Sequence, residues 1–256
     1  YLQQMDIHLS IEENIKRLFL SPASAVFEEP LNLLKQEVRE PGVYNAIMTA
    51  IASGYSKMNE IASKVGEDSS VCAIYLKILI TLGIVKKETP FGEKAGRKTI
   101  YSMEDPMFRF WYRFVPPNIS LIARGATELA YNRIAPELSA YMGGIFEEIC
   151  KQYLWKQLLE GTCAVSFRDI GRWWGANPKT RAQEEIDLMG DDNDAALFAE
   201  CKWTNEKVDL PVRELFRYPK KHFYLFAKTG FTKACKEKAA AMGNVSLTVY
   251  EDMLKR

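Results

Sequence analysis

The sequence predicts an α+β protein made of several domains, and three observations support this prediction. Up to about residue 160, apolar residues recur mainly at helical spacing, whereas after residue 163 they follow the two-residue period of β-strands. The 256 residues exceed the size of one ordinary domain. With 47% hydrophobic and 26% charged residues, the chain can bury a core, so extended disorder is disfavoured.

The charge balance and the hydropathy pattern exclude several classes of protein. The 34 Lys and Arg residues against 33 Asp and Glu residues leave a net charge of +1, which argues against a uniformly basic nucleic-acid coat or an acidic tail. No run of about eighteen apolar residues occurs, since the longest apolar stretch, residues 71–85, is interrupted by Lys77. We therefore expect no transmembrane helix, no signal peptide, no membrane partner and a cytoplasmic location.

The cysteine and histidine content limits the metal chemistry of the chain. The five cysteines are widely spaced and form no CxxC pair, which indicates reduced thiols rather than a disulfide framework or a zinc site. Only two histidines occur, so a histidine-rich metal site is excluded. Any metal should therefore be held by carboxylates, which favour hard ions such as Mg²⁺ or Mn²⁺.

Residues 1–40 are expected to form two short helices, at 11–20 and 31–38, with Pro30 at the start of the second, where its missing N–H is tolerated. A segment of this size cannot bury a core of its own. We interpret it as the end of a preceding domain or as a support for the next one. The chain starts at Tyr1 rather than Met, which suggests that it was cut from a longer protein.

Residues 41–104 show the element order of a winged helix. Helical spacing predicts three helices, at 43–53, 58–65 and 69–82. Ser56 is the expected N-cap of the second helix, and Gly83 is the residue expected to end the third. Two β-segments are predicted on either side of a turn, at 84–85 and 99–101. Three helices followed by a two-stranded hairpin predict a winged helix.

The predicted hairpin is basic. Two acids, Glu88 and Glu93, stand against five basic residues, which are Lys86, Lys87, Lys94, Arg97 and Lys98. A basic hairpin suits phosphate neutralisation, so DNA is the predicted partner of these residues. The predicted recognition helix offers only Lys77 among apolar neighbours and is poorly equipped to contact bases. Packing of this domain against another domain or protein is therefore an equal alternative.

The same hairpin has a partial likeness to a nucleotide-binding loop. Residues 92–99 mimic a Walker A motif, but only three residues separate the two glycines, and Arg97 precedes the lysine. The segment also lacks the transition from strand to helix that cradles phosphates. We therefore expect no ATP site in this chain.

From residue 105 onward, an aromatic helix is predicted to lead into an α/β core. The segment at 107–115 carries aromatic residues on nearly every side and is expected to end at Pro116 and Pro117. Further helices are predicted at 119–138, 142–159, 211–216 and 232–242. Strands are predicted at 164–169, 184–189, 195–203, 223–227 and 246–250. This order predicts an α/β core whose first three strands form a meander.

The most specific chemical signal is Asp187 followed by Glu200 and Lys202. Side chains alternate along a strand, so Glu200 and Lys202 share one face while Cys201 is turned to the core. The turn at 190–194 predicts a hairpin that brings Asp187 beside Glu200. Two carboxylates could then hold Mg²⁺ or Mn²⁺ for phosphodiester hydrolysis, with the lysine stabilising the attacking hydroxide. A salt-bridged pair of amphipathic strands is the alternative, because such spacings also arise by chance.

A helix bearing Glu147 and Glu148 precedes these three residues, and a further helix and strand follow them. This order resembles the PD-(D/E)xK nuclease superfamily, in which a glutamate of the preceding helix often completes the metal site. The resemblance implies that Glu147 is a third metal ligand and a catalytic residue. Ile186 stands where the name of the superfamily has proline, at a tolerant position, and the lysine is present.

A closer resemblance covers essentially the whole chain. It rests on GGIFEEI (143–149), GRWWG (171–175), EEIDLM (184–189), AECKW (199–203) and HFYLFAKTGFT (222–232), preceded by FEEPLNLL (27–34) and DPMFRFWYRFV (105–115). These strings resemble the C-terminal region of the archaeal-type ATPases, P-loop proteins related to the AAA and STAND ATPases. The resemblance implies an ATPase lid remnant at 1–40, a winged helix at 41–104, a helical linker at 105–140 and a restriction-endonuclease-like PD-(D/E)xK domain at 141–256. ATP would be bound only by the missing N-terminal domain.

The leading hypothesis is a metal-dependent DNA nuclease. In it, Glu147, Asp187 and Glu200 bind the metal, and Lys202 supports the attacking hydroxide. The alternative is a catalytically silent module of the ATPase that binds nucleic acid or protein. A third hypothesis is a regulatory lid that also mediates oligomerisation. DNA and the missing ATPase domain are the expected partners.

Overall fold

The computed structural model describes residues 2–38, 40–177, 181–209 and 218–255. The chain divides into two compact units: unit 1 contains Tyr1–Glu88 and Ala95–Pro136, and unit 2 contains Thr89–Lys94 and Glu137–Arg256. The segment predicted as a linker, residues 105–140, falls almost wholly in unit 1.

Helices and strands are both present, so the chain is of the α+β class. No helix in the described ranges is both long and apolar enough to span a lipid bilayer.

After a short 3-10 helix at Leu2–Gln4, unit 1 contains five α-helices in succession, which are α1 Ile11–Phe19, α2 Ala25–Glu37, α3 Pro41–Ala52, α4 Met58–Val65 and α5 Ser69–Thr81. The start of α1 is fixed by a capping box, in which Ser10 and Glu13 each accept a hydrogen bond from the other's main-chain N–H. The predicted N-cap of α4, Ser56, is wrong by one residue. Lys57 is the N-cap, and Glu60 instead accepts hydrogen bonds from the N–H groups of Ser56 and Lys57.

The predicted helix start at Pro30 is also wrong, because α2 begins five residues earlier, at Ala25. Ser24 caps this helix by accepting a hydrogen bond from the N–H of Val26 at 3.2 Å. Pro30 therefore lies inside the helix, where it is buried together with Phe27 and Leu34 on one helical face. The cap and this burial offset the hydrogen bond that the proline removes.

The aromatic helix continues through Pro116 and Pro117, which were expected to end it. It forms α6, Pro106–Ala123, and is buried on both sides of the two prolines. Trp111 anchors it by donating a hydrogen bond to the carbonyl oxygen of Phe27 at 2.7 Å. The helix ends at Ala123, and Gly125, two residues further on, adopts a positive φ of 72°. Tertiary packing thus overrides the local preference of proline.

A two-stranded antiparallel sheet follows α5, as predicted. Strands β1 Val85–Glu88 and β2 Ile100–Met103 pair so that Lys86 lies opposite Ser102 and Lys87 opposite Tyr101. Gly83, with a φ of 70°, follows the end of α5. The element order expected of a winged helix is therefore present, whereas membership of that fold stays a prediction.

Helix α7, Thr127–Leu159, is a single helix where two were predicted. It contains Pro136, and the boundary between the two units falls directly after this residue. The part of α7 in unit 2 buries Phe146, Cys150 and Leu154.

Unit 2 is built on a five-stranded mixed sheet in sequence order, with strands β3 Ile170–Ala176, β4 Gln183–Asp192, β5 Ala195–Lys202, β6 Lys220–Ala227 and β7 Val245–Val249. The first three strands form an antiparallel meander, as predicted for β4 and β5 but with β3 in place of the strand predicted at 164–169. β6 and β7 run parallel to β5. The helices α8 Lys233–Met242 and α9 Tyr250–Met253 complete the described part of the unit.

The predicted strand at 164–169 is wrong. Val165 and Phe167 are buried, which explains the alternating pattern, but the segment is a loop packed on the core rather than a paired strand. The first strand of the sheet is β3, six residues later. The helix predicted at 211–216 lies outside the described residues.

Helices cover both faces of this sheet. On one face, α7 packs against Leu197, Ala199 and Cys201 of β5, so Cys201 faces the core as predicted from the alternation of side chains. On the other face, Cys235 of α8 packs against Leu225 of β6. The sheet is therefore held rigidly between two apolar layers, and its strand ends can position polar side chains.

We expect Gly190→Ala in β4 to destabilise unit 2. A Cβ at this position would lie 3.0 Å from the carbonyl oxygen of Asp169 and 3.2 Å from the Cβ of Phe167, so the loop before β3 would have to move by a few tenths of an ångström. Overpacking of this kind costs about 1–3 kcal/mol.

Gly143→Ala in α7 is the matched control. Its Cβ would meet nothing within 4 Å, and alanine favours the helix by up to about 1 kcal/mol. Denaturant unfolding measures both variants, and equal stabilities would contradict the close approach at Gly190.

Candidate active site

Asp187 and Glu200 lie side by side where β4 and β5 separate. The main-chain pairing of these strands ends with Leu188 opposite Ala199. Asp187 and Glu200 are the next residues beyond that pair, one on each strand. From there, β4 continues along β3, and β5 continues along β6. This is the arrangement that the sequence-predicted hairpin requires.

An irregularity in β4 sets the position of Asp187. The register between β3 and β4 shifts between Gly171 and Trp173, so that Arg172 lies opposite two residues of β4, one of which is Asp187. Such bulges redirect side chains and are common beside active sites. Here the Asp187 carboxylate accepts a hydrogen bond from the N–H of Cys201 at 2.7 Å. The Asp187 carboxylate thus accepts the hydrogen bond that a main-chain carbonyl of β4 would accept if the pairing with β5 continued.

The environment of Asp187 disfavours its negative charge. Burial raises the pKa of this carboxyl, and the nearby charge of Glu200 raises it further, while the hydrogen bond from Cys201 and the charge of Lys202 act in the opposite direction. The net result is a pKa of about 6, against an ordinary value of 3.8. A second positive charge at this position would relieve the repulsion between the two carboxylates.

Lys202 belongs to the same group. Its ammonium lies 2.5 Å from Oε1 of Glu200, and its side chain is partly exposed. Burial alone would lower the pKa of Lys202, but the hydrogen bond to Glu200 and the charges of Glu200 and Asp187 outweigh it and raise the pKa. The lysine therefore remains protonated across the physiological range.

Glu147, which the resemblance implies as a third metal ligand, lies next to an arginine. Its carboxylate lies 4.0 Å from Nε of Arg172. Arg172 also donates to Glu185 through Nε at 2.7 Å and through its terminal nitrogen. Arg172 thus connects two acidic side chains at the bulge, a role that sequence reasoning missed. Arg172 and Glu185 meet because β3 pairs with β4. A prediction of that strand pair could have found the contact, but no strand was predicted at 170–176.

No group of three or more His, Cys, Asp or Glu side chains with the geometry to hold a metal ion occurs within the described residues. Asp187, Glu200 and Lys202 are brought together, and the participation of Glu147 in a metal site stays a prediction. Glu147 is partly buried whereas Glu148 is exposed, so Glu147 is the better placed of the two acids.

The five basic residues of the predicted hairpin have different surroundings. Lys86 is half-buried, and its ammonium lies 3.7 Å from Glu88 and 3.6 Å from Glu104. The other four are exposed, and they are Lys87, Lys94, Arg97 and Lys98. Lys86 is therefore neutralised by neighbouring acids, and the exposed residues carry the positive charge of the hairpin.

We expect the stability of the metal-free protein to fall as the pH rises through the titration range of Asp187. The folded protein holds this proton up to about pH 6, whereas the unfolded chain releases it near its ordinary pKa of 3.8. The folded state therefore binds more protons between these values, and the free energy of unfolding decreases by up to about 3 kcal/mol.

Asp187→Asn removes this titration while it keeps an oxygen that can accept from Cys201. In EDTA, the variant should match the wild type near pH 4 and exceed its stability at pH 8. Urea unfolding at both values provides the comparison. A variant that is less stable at pH 8 would show that the ionised carboxylate stabilises the fold.

Two comparisons with known proteins bear on this site. Residues 111–212 match the family model DUF234, described as archaea bacterial proteins of unknown function. The chain is 34% identical over 188 residues to the uncharacterized protein MJECL04 of Methanocaldococcus jannaschii. The alignment covers 72% of this chain and 41% of that protein, so the chain spans less than half the length of the curated relative. The segment matched by the family model contains Asp187, Glu200 and Lys202.

Proposed function

We propose that unit 2 is a metal-dependent nuclease domain that hydrolyses phosphodiester bonds of DNA. The observation that carries this proposal is the juxtaposition of two carboxylates, Asp187 and Glu200, at the point where β4 and β5 separate. Lys202 lies beside them, bonded to Glu200. Two carboxylates and an ammonium at the end of paired strands are the groups that metal-assisted phosphodiester hydrolysis needs.

The donor set fits Mg²⁺ or Mn²⁺. Both acids offer hard oxygen ligands, and the pKa of Asp187 is raised by burial and by the charge of Glu200, so a cation would stabilise the pair. Mg²⁺ in phosphoryl-transfer sites is commonly held by one or two carboxylates, with water and substrate phosphate completing its shell. A pair of acids is therefore sufficient, and a cluster of three protein ligands is not required.

Each side chain has a role that follows from its position. A bound divalent cation would polarise the phosphate and lower the pKa of an attacking water. Asp187 and Glu200 would hold the cation, with Asp187 kept in place by the N–H of Cys201. Lys202 would orient the hydroxide and offset the charge that develops on the phosphate. Glu147 would assist in binding the cation, and the positive charge of Arg172 would partly neutralise the Glu147 carboxylate.

In the whole protein, we propose that this chain forms the C-terminal part of an archaeal-type ATPase. The resemblance of the sequence motifs supports this assignment, and the chain spans 41% of a longer archaeal relative. ATP would then bind to the N-terminal domain and control the nuclease domain from there.

A second candidate is a catalytically silent module that binds nucleic acid or protein. It is favoured by the pairing of Lys202 with Glu200 and of Glu147 with Arg172, because these contacts neutralise charge without a metal. Nucleic-acid binding that persists in EDTA, with no cleavage of any DNA, would favour this candidate.

We expect cleavage of plasmid and single-stranded DNA that requires Mg²⁺ or Mn²⁺. Glu200→Gln and Lys202→Ala should each reduce the rate at least about 100-fold, because each removes a group that acts on the charged transition state. The measurement is a gel assay at pH 8 with and without EDTA.

Glu147→Gln and Glu148→Gln form a matched pair for the same assay. The first should slow cleavage, and the second, an exposed neighbour on the same helix, should not. Cleavage by Glu200→Gln at the wild-type rate would attribute the activity to another site or to a contaminant.

We also expect Mn²⁺ to stabilise the protein through the same two acids. At pH 8, a Mn²⁺ concentration ten times the dissociation constant should add about 1.4 kcal/mol to the free energy of unfolding. Asp187→Asn and Glu200→Gln should lose this increment, whereas Glu148→Gln should keep it. Equal stabilisation of all variants in thermal unfolding would place the bound metal elsewhere.

A further inference from the structure

Unit 1 contains a cleft of about 730 Å³ between the starts of α4 and α5 and the β1–β2 hairpin. Its polar and charged lining comes from both helices and from the hairpin, and it includes Lys57, Asn59, Ser69, Lys87, Arg97 and Tyr101. Clefts of a few hundred cubic ångströms are the usual size of sites for small ligands.

The charge of this lining is entirely positive. Lys57, Lys87 and Arg97 contribute three cations, and no Asp or Glu side chain belongs to the lining. Lys57 contacts Glu60 at 3.5 Å, but both side chains are well exposed, so this ion pair neutralises little. Lys87 and Arg97 make no ion pair with any described residue. Their charges are therefore available to an anion.

The two helix starts add to the positive potential. Lys57 is the N-cap of α4, and Asn59 lies in its first turn, while Ser69 is the first residue of α5. Neither N-cap side chain, Lys57 or Asp68, accepts a hydrogen bond from the first turn of its helix. Asp68 does not line the cleft. Free N–H groups at helix starts bind anions, and here they accompany the basic side chains.

Tyr101 adds a hydrogen-bond donor to the basic side chains of the cleft. The residue lines the cleft, and 8% of its surface is exposed. Its hydroxyl forms no hydrogen bond with any residue that the structure describes. Burial raises the pKa of Tyr101, so the hydroxyl remains a hydrogen-bond donor. The hydroxyl is not one of the buried side-chain atoms that lack a partner, so it can donate to a ligand that enters the cleft.

We propose that this cleft is a phosphate-binding site, in which Lys57, Lys87 and Arg97 neutralise the anion and Tyr101 donates a hydrogen bond to it. A phosphate group fits because it carries negative charge and several acceptor oxygens. The group could belong to a nucleic-acid backbone or to a free phosphorylated molecule. The site is independent of the nuclease proposal, since its residues lie in unit 1 and its ligand needs no metal.

Binding of a 20-base-pair duplex and of inorganic phosphate, each measured in EDTA, tests this site without interference from cleavage. Lys87→Ala and Arg97→Ala should each weaken duplex binding about three- to tenfold and reduce the slope of log K against log salt by about 1, as expected for the loss of one phosphate contact. Lys64→Ala, at the other end of α4, changes the same charge outside the cleft and should leave affinity and slope unchanged.

Tyr101→Phe separates ligand contact from fold stability. It removes only the hydroxyl, so the free protein should unfold at the same or a higher temperature, whereas the stabilisation by inorganic phosphate should decrease. Loss of stability in the free variant, with ligand stabilisation intact, would show that the hydroxyl serves the fold.

The two probes distinguish the sources of the phosphate. Duplex binding that depends on Lys87 and Arg97 identifies a nucleic-acid backbone as the ligand. Binding of inorganic phosphate alone, with the same dependence, identifies a free phosphorylated molecule. Absence of binding by either probe, or binding that both alanine variants retain with an unchanged salt slope, would overturn the proposal.

Discussion

The hydrogen bond from the N–H of Cys201 to the carboxylate of Asp187 links the sheet of unit 2 to its candidate chemistry. A buried N–H at the end of a strand needs an acceptor. Main-chain pairing of β4 with β5 stops at Leu188 and Ala199, so an ordinary carbonyl no longer provides one. The bulge opposite Arg172 allows the side chain of Asp187 to take that place. The strands can therefore separate directly beyond Leu188 and Ala199, where Asp187 and Glu200 lie.

This arrangement lowers the stability of the metal-free fold when Asp187 is ionised. Burial and the neighbouring Glu200 make the charged form of Asp187 unfavourable, although the N–H of Cys201 and the ammonium of Lys202 compensate in part. The α7 layer on one face of the sheet and the α8 layer on the other hold the strands in place despite this repulsion. Local strain of this kind persists only where surrounding packing supports it, and it is typical of sites that bind charged ligands.

The sequence predicted the parts of the structure that depend on local chemistry. The turn between β4 and β5 and the alternation of side chains were enough to bring Asp187 beside Glu200 and to turn Cys201 toward the core. The prolines of α2 and α6 and the loop at 164–169 were misjudged, because burial against distant residues overrides local preference there. The contact of Arg172 with Glu185 depends on strand register, which the bulge alters and which no sequence period reveals.

The net charge of +1 conceals two opposite electrostatic environments. In unit 2, two acids compete for the charge of one lysine. In unit 1, three cations and a tyrosine line a cleft without an acid. The net charge sums the acidic and basic residues to nearly zero, whereas folding places the two kinds of charge at separate sites. A phosphodiester could bind at either site. Its oxygens can coordinate a metal ion that acidic side chains hold, and they can also contact basic side chains directly. A chain that is neutral overall is therefore compatible with a nucleic-acid ligand.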